Sequence, residues 1–239
     1  MISVKNKKAI IVGASSGIGR SLAHLFSEKG AIVYLLSRTE SKLKEVQNEL
    51  PGESHIFAMD MLNGDAVNAV FDQIGAFDFL SFSAVSDETK LMSPIKSMPT
   101  EKATRGLQKF WGTFNVARAA ANHISQGGAM VFTSSMSIYS PSKSGASVMN
   151  AASAAVDIFA KSLALEIAPT RVNTIAPGVV GTGVWTKAEK DRYTDWAKET
   201  LPVKHLGTPK ELAHAFYMTL TNPYMTGSTV LVDGGLHSL

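Results

Sequence analysis

The sequence predicts a single α/β domain built on a doubly wound, seven-stranded parallel sheet. Two observations carry that prediction. Strand-like runs are apolar throughout, and helix-like segments separate them one after another along all 239 residues. A strand that is apolar at every position is covered on both faces, and parallel neighbours need a crossover that a helix supplies. Right-handed crossovers then wind the chain outward from the centre and leave a ligand crevice at the carboxyl ends of the strands.

The elements follow in order. Ala9-Ile10-Ile11-Val12 is a buried strand; Ile18 to Lys29 repeats Leu22, Leu25 and Phe26 at helical spacing and stops at Gly30. Ala31 to Leu36 is a second strand, Ser41 to Leu50 a charged amphipathic helix ended by Pro51-Gly52, and His55 to Met59 a third strand. Asp65 to Ile74 reads as a helix, Phe77 to Phe82 as a fourth strand, Thr100 to Ile124 as one long helix and Ala129 to Thr133 as a fifth strand. Ser147 to Ala168 is another long helix, Arg171 to Ile175 and Thr229 to Val232 are the last strands, and Lys210 to Leu220 is a helix between them. No repeat, linker or low-complexity stretch divides the chain, so residues 1–239 form one domain.

Composition narrows the function. Hydrophobic residues at 45% and charged residues at 18% describe a globular chain with a substantial core. The net charge of +3 is scattered, and its densest basic run, Lys5-Asn6-Lys7-Lys8, reads as a solvated edge; neither favours nucleic acid. The absence of cysteine excludes disulfides, iron–sulfur clusters and a thiol nucleophile. The six histidines stand apart without ligand spacing, so no metal site is expected. The start of the chain lacks a signal-peptide core, and the most apolar stretch, Ala151 to Ala164, is interrupted by Asp157 and Lys161. No membrane association and a cytoplasmic location are therefore expected.

Between the first strand and the first helix stands Val12-Gly13-Ala14-Ser15-Ser16-Gly17-Ile18-Gly19. Gly13 allows a sharp turn, Gly17 lets the backbone approach a pyrophosphate, and Gly19 lets the helix lie close on the sheet. The N–H groups at the helix start, Ile18 among them, then face the anion, with Ser15 and Ser16 adding hydroxyl donors. Three glycines alone mark ordinary turns as readily; their place between a strand and a helix points to a dinucleotide-binding Rossmann domain. A carboxylate that would bond a ribose diol is missing after the second strand, where Ser37-Arg38-Thr39 stands. Arg38 offers a bidentate guanidinium to a 2′-phosphate, which favours NADP(H); the plainer alternative is a surface arginine opening the next helix.

The Gly13-x-x-x-Gly17-x-Gly19 spacing resembles the short-chain dehydrogenase/reductase family, and the similarity runs over essentially the whole chain. The resemblance implies that Asp60 and Met61 contact the adenine and that Ser83, Ala84 and Val85 border the cofactor after the fourth strand. It implies that Arg171-Val172-Asn173-Thr174-Ile175-Ala176-Pro177-Gly178 and the residues that follow line the nicotinamide. In that segment Val180 would present its backbone to the carboxamide, and Thr182 would bond the carboxamide or a phosphate. Residues 183–206, with Trp185 and Trp196, would be the substrate lid, and similar proteins form homodimers or homotetramers through the long helix that begins at Ser147.

The departures from the family fall after the fourth strand, where Phe82-Ser83-Ala84-Val85 stands in place of its usual Asn-Asn-Ala-Gly, and on its proton-transfer residues. Counting back from Lys161-Ser162-Leu163-Ala164, its tyrosine and lysine positions hold Met149 and Ser153. Counting back from Gly112, the place of an asparagine that holds a relay water contains Lys109. The serine after the fifth strand survives as Ser135, with Ser134 beside it. Tyr139-Ser140-Pro141-Ser142-Lys143 spells the family's Tyr-x-x-x-Lys, but Pro141 disfavours the helix that would stack the pair. The expectation is an NADP(H)-dependent oxidoreductase acting on a carbonyl, alcohol or enone of a small apolar molecule. Ser135 would serve there with Tyr139 or Lys109 in place of the usual donor. A cofactor-binding relative without catalysis, serving as a sensor or structural subunit, and a non-redox catalyst on the same scaffold are the alternatives.

Overall fold

The computed structural model describes residues 1–84, 91–141, 144–182 and 185–239. Strand β1 (Lys8–Val12) leads into α1 (Gly17–Glu28), β2 (Ile32–Ser37) into α2 (Glu40–Glu49), and β3 (Ser54–Ala58) into α3 (Gly64–Ile74). After β4 (Phe77–Phe82) come α4 (Thr100–Gly106) and α5 (Gln108–Ala121), then β5 (Ile124–Thr133) and α6 (Ser147–Glu166). The chain closes with β6 (Arg171–Pro177), α7 (Lys187–Thr200), α8 (Pro209–Thr221) and β7 (Thr229–Val232).

All seven strands form one parallel sheet in the order β3-β2-β1-β4-β5-β6-β7. The order reverses between β1 and β4, and this junction opens the crevice where the glycine turn lies. Alternate residues of each strand enter opposite layers. Ile11, Val33 and Leu35 pack with Leu22 and Phe26 of α1 and Phe216 of α8. Ile10, Val12 and Tyr34 pack with Phe71 of α3, Val116 of α5 and Val156 of α6. The apolar runs of the sequence are thus apolar because both sheet faces are covered.

Two boundaries differ from the sequence reading. The expected helix from Thr100 to Ile124 is two helices broken at Leu107, and its last residue instead opens β5. The break lies where Gly106 passes so close to α6 that a Cβ there would stand 2.8 Å from Val148 Cγ1. Strand β5 begins early because Ile124 pairs with Phe77, and the ladder then shifts register before Ala129 pairs with Phe79. Gly127, at φ +78°, lies within that irregular stretch.

Helix α6 has 20 residues and a mean hydropathy of 1.3 in its most apolar window, enough to cross a membrane by length and composition alone. It is a longer element than the Ala151 to Ala164 stretch. Its apolarity is explained by packing: Ala152, Val156, Ala160 and Leu163 are buried, and the helix lies against β5 and β6. Asp157, with its side chain 4% exposed, ties that helix down. It accepts hydrogen bonds from Thr174 of β6 at 2.7 Å and Thr229 of β7 at 2.5 Å, and pairs with Lys161 at 2.7 Å. At the other end of β6, the buried Arg171 guanidinium caps α8 by donating to the carbonyls of Leu220 at 2.6 Å and Asn222 at 2.8 Å.

Candidate active site

The glycine turn has the shape its sequence predicts. Gly13 has φ +91°, and a Cβ on it would stand 2.6 Å from the Ala84 backbone nitrogen, so the turn after β1 passes hard against the chain leaving β4. Gly17 has φ +54°. A Cβ on Gly19 would overlap the Gly13 carbonyl and lie 2.7 Å from Ser83 Oγ. Ser83 holds this junction by donating from its backbone N–H and its hydroxyl to the Val12 carbonyl, at 2.9 and 3.1 Å. Ser16 is the N-cap of α1, and its side chain makes no capping bond. The first N–H groups of α1, at Gly17, Ile18 and Gly19, therefore open onto the turn, with the Ser15 and Ser16 hydroxyls beside them.

Other candidates gather around the same crevice. Thr182 reaches over the turn, its methyl 3.4 Å from where a Cβ on Gly17 would be. Val179 and Gly181 bridge to Gly207 through Gly207 N to Val179 O at 3.2 Å and Gly181 N to Gly207 O at 2.8 Å. That ladder leaves the N–H of the buried Val180 without a partner among the described residues. Pro177 ends β6, and Gly178 lies so close to β7 that a Cβ would stand 2.7 Å from Asp233 Cα. At the end of β2 the Ser37 hydroxyl is buried and has no partner among the described residues. Arg38 beside it is exposed and makes no ion pair among them, and Thr39 caps α2 without a side-chain bond. Asp60 accepts from the Leu62 N–H at 2.9 Å, while Met61 packs on Gly112 and accepts from Asn115 Nδ2 at 3.0 Å. Ala84 lines the turn, and Val85 lies outside the described residues.

These features fit a dinucleotide: a cradle that side chains would fill, a helix start facing it, and unpartnered polar groups at both ends. Gly13 to Gly19 would hold the diphosphate, Ser37 and Arg38 the ribose end, and Val180 and Thr182 the nicotinamide.

The proton-transfer candidates separate into three groups. Lys109 of α5 is 3% exposed, and its ammonium donates to the Ser134 carbonyl and to Ser153 Oγ, both at 3.1 Å. Ser153 is the residue that counting back from Lys161 set at the family's lysine position, and a cation reaches it from the neighbouring helix. Ser134 is buried and donates its hydroxyl to the Ser153 carbonyl at 3.1 Å. Its role thereby separates from that of Ser135, which is half-buried.

Ser135 belongs to a different chain of contacts. Its Oγ lies 2.7 Å from Ser137 Oγ, and Ser137 Oγ donates to Asn150 Oδ1 at 2.7 Å. Tyr139 forms the third group. It is 47% exposed, and its hydroxyl donates to Asp157 Oδ2 at 3.5 Å, where Lys161 is already bound. Asp157 lies two helical turns beyond Met149, so the Tyr139 hydroxyl is directed down α6. Lys143, the other half of the Tyr-x-x-x-Lys spelling, lies outside the described residues. Ser137, Asn150 and Ser153 were not marked by sequence reasoning as site residues; only the run of small polar residues after β5 hinted at the first.

Two tryptophans are also placed. Trp111 is 53% exposed and stacks edge-on with Phe110 and Phe114 on the outer side of α5, and Trp185 stacks on Tyr193 of α7 at 4.6 Å. A cavity of about 200 Å³ lies between the end of α7 and β7, walled by Val179, Leu201, Val203 and Val232. Ser135, Lys109 and Tyr139 do not line it.

A parallel sheet whose order reverses beside a glycine turn, with a serine after β5, defines a dinucleotide-binding oxidoreductase scaffold. Residues 13–237 match the family described as Enoyl-(Acyl carrier protein) reductase, and the chain belongs to the short-chain dehydrogenase/reductase family. It is 31% identical to carbonyl reductase family member 4 of Danio rerio, over 98% of this chain and 99% of that one. It is 33% identical to a sorbose reductase of Schizosaccharomyces pombe, over 98% and 97% of the two chains. Among solved structures it is similar to an NADPH-bound short-chain oxidoreductase from Pseudomonas aeruginosa described as containing an atypical catalytic center. The TM-score is 0.88 at 26% identity, covering 99% of this chain and 98% of that one. Relatives of this chain are oxidoreductases acting on carbonyl substrates.

Proposed function

We propose that this protein is an NADP(H)-dependent oxidoreductase interconverting a carbonyl and an alcohol, or reducing an enone, on a small apolar molecule. The observation that carries the reading is the coexistence of the glycine cradle with the buried ammonium of Lys109 held at Ser153 Oγ.

A nicotinamide held by Val180 and Thr182 would supply or accept the hydride. Reduction of a carbonyl adds hydride to carbon and leaves the π pair on oxygen, which must be stabilised and then take a proton. Ser135 offers its hydroxyl to that oxygen, and Lys109 supplies positive charge through Ser153, in place of the family's tyrosine and lysine. Met149 has no proton to give, because a thioether is only a weak acceptor. That residue is the observation favouring the second reading, a protein that binds NADP(H) without turning it over.

NADP(H) preference is supported by Arg38 and the unpartnered Ser37 hydroxyl. Residues 183–206, which carry α7, are proposed as the lid over the substrate. The exposed Trp111, Ile158 and Leu165 on α5 and α6 support pairing of those helices in a homodimer or homotetramer.

The test is NADPH consumption with a panel of ketones, quinones and enones, by wild type and S135A. Turnover by wild type that falls at least tenfold in S135A supports the reading. Cofactor binding without turnover of any carbonyl favours the second.

A further inference from the structure

The contacts of Ser135 contain a directional problem. Ser137 Oγ donates its single proton to Asn150 Oδ1, so the 2.7 Å contact with Ser135 must be filled by the Ser135 proton. The Ser135 oxygen also accepts from the Ser137 N–H at 3.3 Å. In this arrangement the Ser135 hydroxyl points along the chain to α6 and has nothing to offer a substrate oxygen. A carboxamide is nearly symmetric in outline, and turning it over puts an N–H donor where the acceptor was. With Asn150 Nδ2 donating to Ser137, Ser137 donates to Ser135 and the Ser135 proton is freed.

We propose that Asn150 is a positioning residue for Ser135: by turning its side-chain amide it reverses the three-membered chain Asn150–Ser137–Ser135 and releases the Ser135 proton toward the substrate oxygen. The inference rests on the oxidoreductase reading and adds to it a residue that acts through Ser137. No bond to carbon changes in the relay; each hydroxyl exchanges the partner it donates to, and every proton stays on its own heavy atom. Release would come when an oxygen gaining negative charge competes for the Ser135 proton, since hydrogen bonds to charged acceptors are about twice as strong as neutral ones.

The test is N150D, whose ionised carboxylate only accepts and so holds the chain in its resting direction. Position 150 lies in the first turn of α6, where the helix dipole favours an acidic side chain, and thermal unfolding checks that the variant is folded. Loss of one aligned donor to a developing oxyanion costs about 10²-fold in kcat, and that fall is expected at pH 7 with KM nearly unchanged. Protonating the introduced carboxyl restores a donor, so single-turnover rates of N150D should recover as the pH drops through its pKa while wild type shows no such recovery. In an S137A background N150D should cost little more, because its effect passes through Ser137.

A second readout needs no turnover. In cofactor-free protein, carbon-13 NMR should find the introduced carboxyl titrating lower in N150D than in N150D/S137A, because the Ser137 hydroxyl favours the ionised form. Equal titration in the two variants overturns the contact. N150D matching active wild type at pH 7, or an N150D penalty that persists undiminished in S137A, overturns the relay alone. Failure of wild type to turn over any carbonyl removes the oxidoreductase reading and the relay's catalytic role with it, whatever the NMR titration reports.

Discussion

Replacing Lys109 with methionine separates a structural lysine from a catalytic one. The side chain is 3% exposed and, among the described residues, its ammonium donates to the Ser134 carbonyl and Ser153 Oγ, both at 3.1 Å. Leaving those two buried acceptors short of a partner costs roughly 1–3 kcal/mol each. Against that, methionine removes the penalty of keeping an ammonium out of water, which is several kcal/mol. Methionine also nearly preserves the packing volume. The two effects oppose each other, so K109M is expected to remain folded, and for a domain of this size each kcal/mol lost moves Tm by about 2–4 °C. Activity has no such compensation, because methionine carries neither charge nor proton. Removing a group that assists proton transfer lowers kcat/KM by about 10²–10⁴-fold, or roughly 3–5 kcal/mol of barrier. The assay is NADPH consumption with the best ketone, beside thermal unfolding and NADPH fluorescence titration of the same preparations. K109M that folds and retains kcat/KM within threefold of wild type would refute the reasoning.

Three other outcomes are expected. G13A should lose measurable NADPH binding by fluorescence titration and unfold at lower temperature, because φ +91° is unfavourable for alanine and the new Cβ would meet Ala84 N at 2.6 Å. Y139F should keep kcat/KM within threefold of wild type, since the hydroxyl it removes is directed to Asp157 rather than to Ser135; a hundredfold loss in the same assay restores Tyr139 as the donor. Burial raises the Asp157 carboxyl pKa, but hydrogen bonds from Lys161, Thr229 and Thr174 outweigh it and leave the group below the usual carboxylate value. A depressed folded-state pKa means the contribution is full above the unfolded value, about 3.9, and is lost as pH falls through the lower folded value. D157N should therefore flatten the dependence of Tm on pH across that acid range while lowering Tm at pH 7.

Local signals carried the fold far. Phe77–Phe82 and Thr229–Val232 are strands at their expected limits because both are short, predominantly apolar runs. The glycine turn was equally legible, since Gly13, Gly17 and Gly19 act within seven residues of one another. What escaped was tertiary. The break at Leu107 follows Gly106, where Val148, distant in sequence, packs so close that a Cβ would not fit. Lys109 was placed by counting from Gly112, yet its partnership with Ser153, 44 residues on, has no local signature. Tyr139 looked like a substitute acid because its loop was expected to border the nicotinamide pocket. The turn over Met136–Ile138 carries it on toward α6 instead. Asn150 gave no signal at all, because an asparagine near a helix start is ordinary until Ser137 is found 2.7 Å away.

The account depends on a dinucleotide lying across the junction of β1 and β4 with its extra phosphate at Arg38. Calorimetric titration of cofactor-free protein with NADPH and NADH, repeated on R38E, tests this most directly. The account predicts saturable NADPH binding, at least tenfold tighter than NADH, with that preference lost or reversed in R38E at unchanged Tm. Equal affinity for the two in wild type would contradict the phosphate assignment, and no heat from either would contradict the account as a whole.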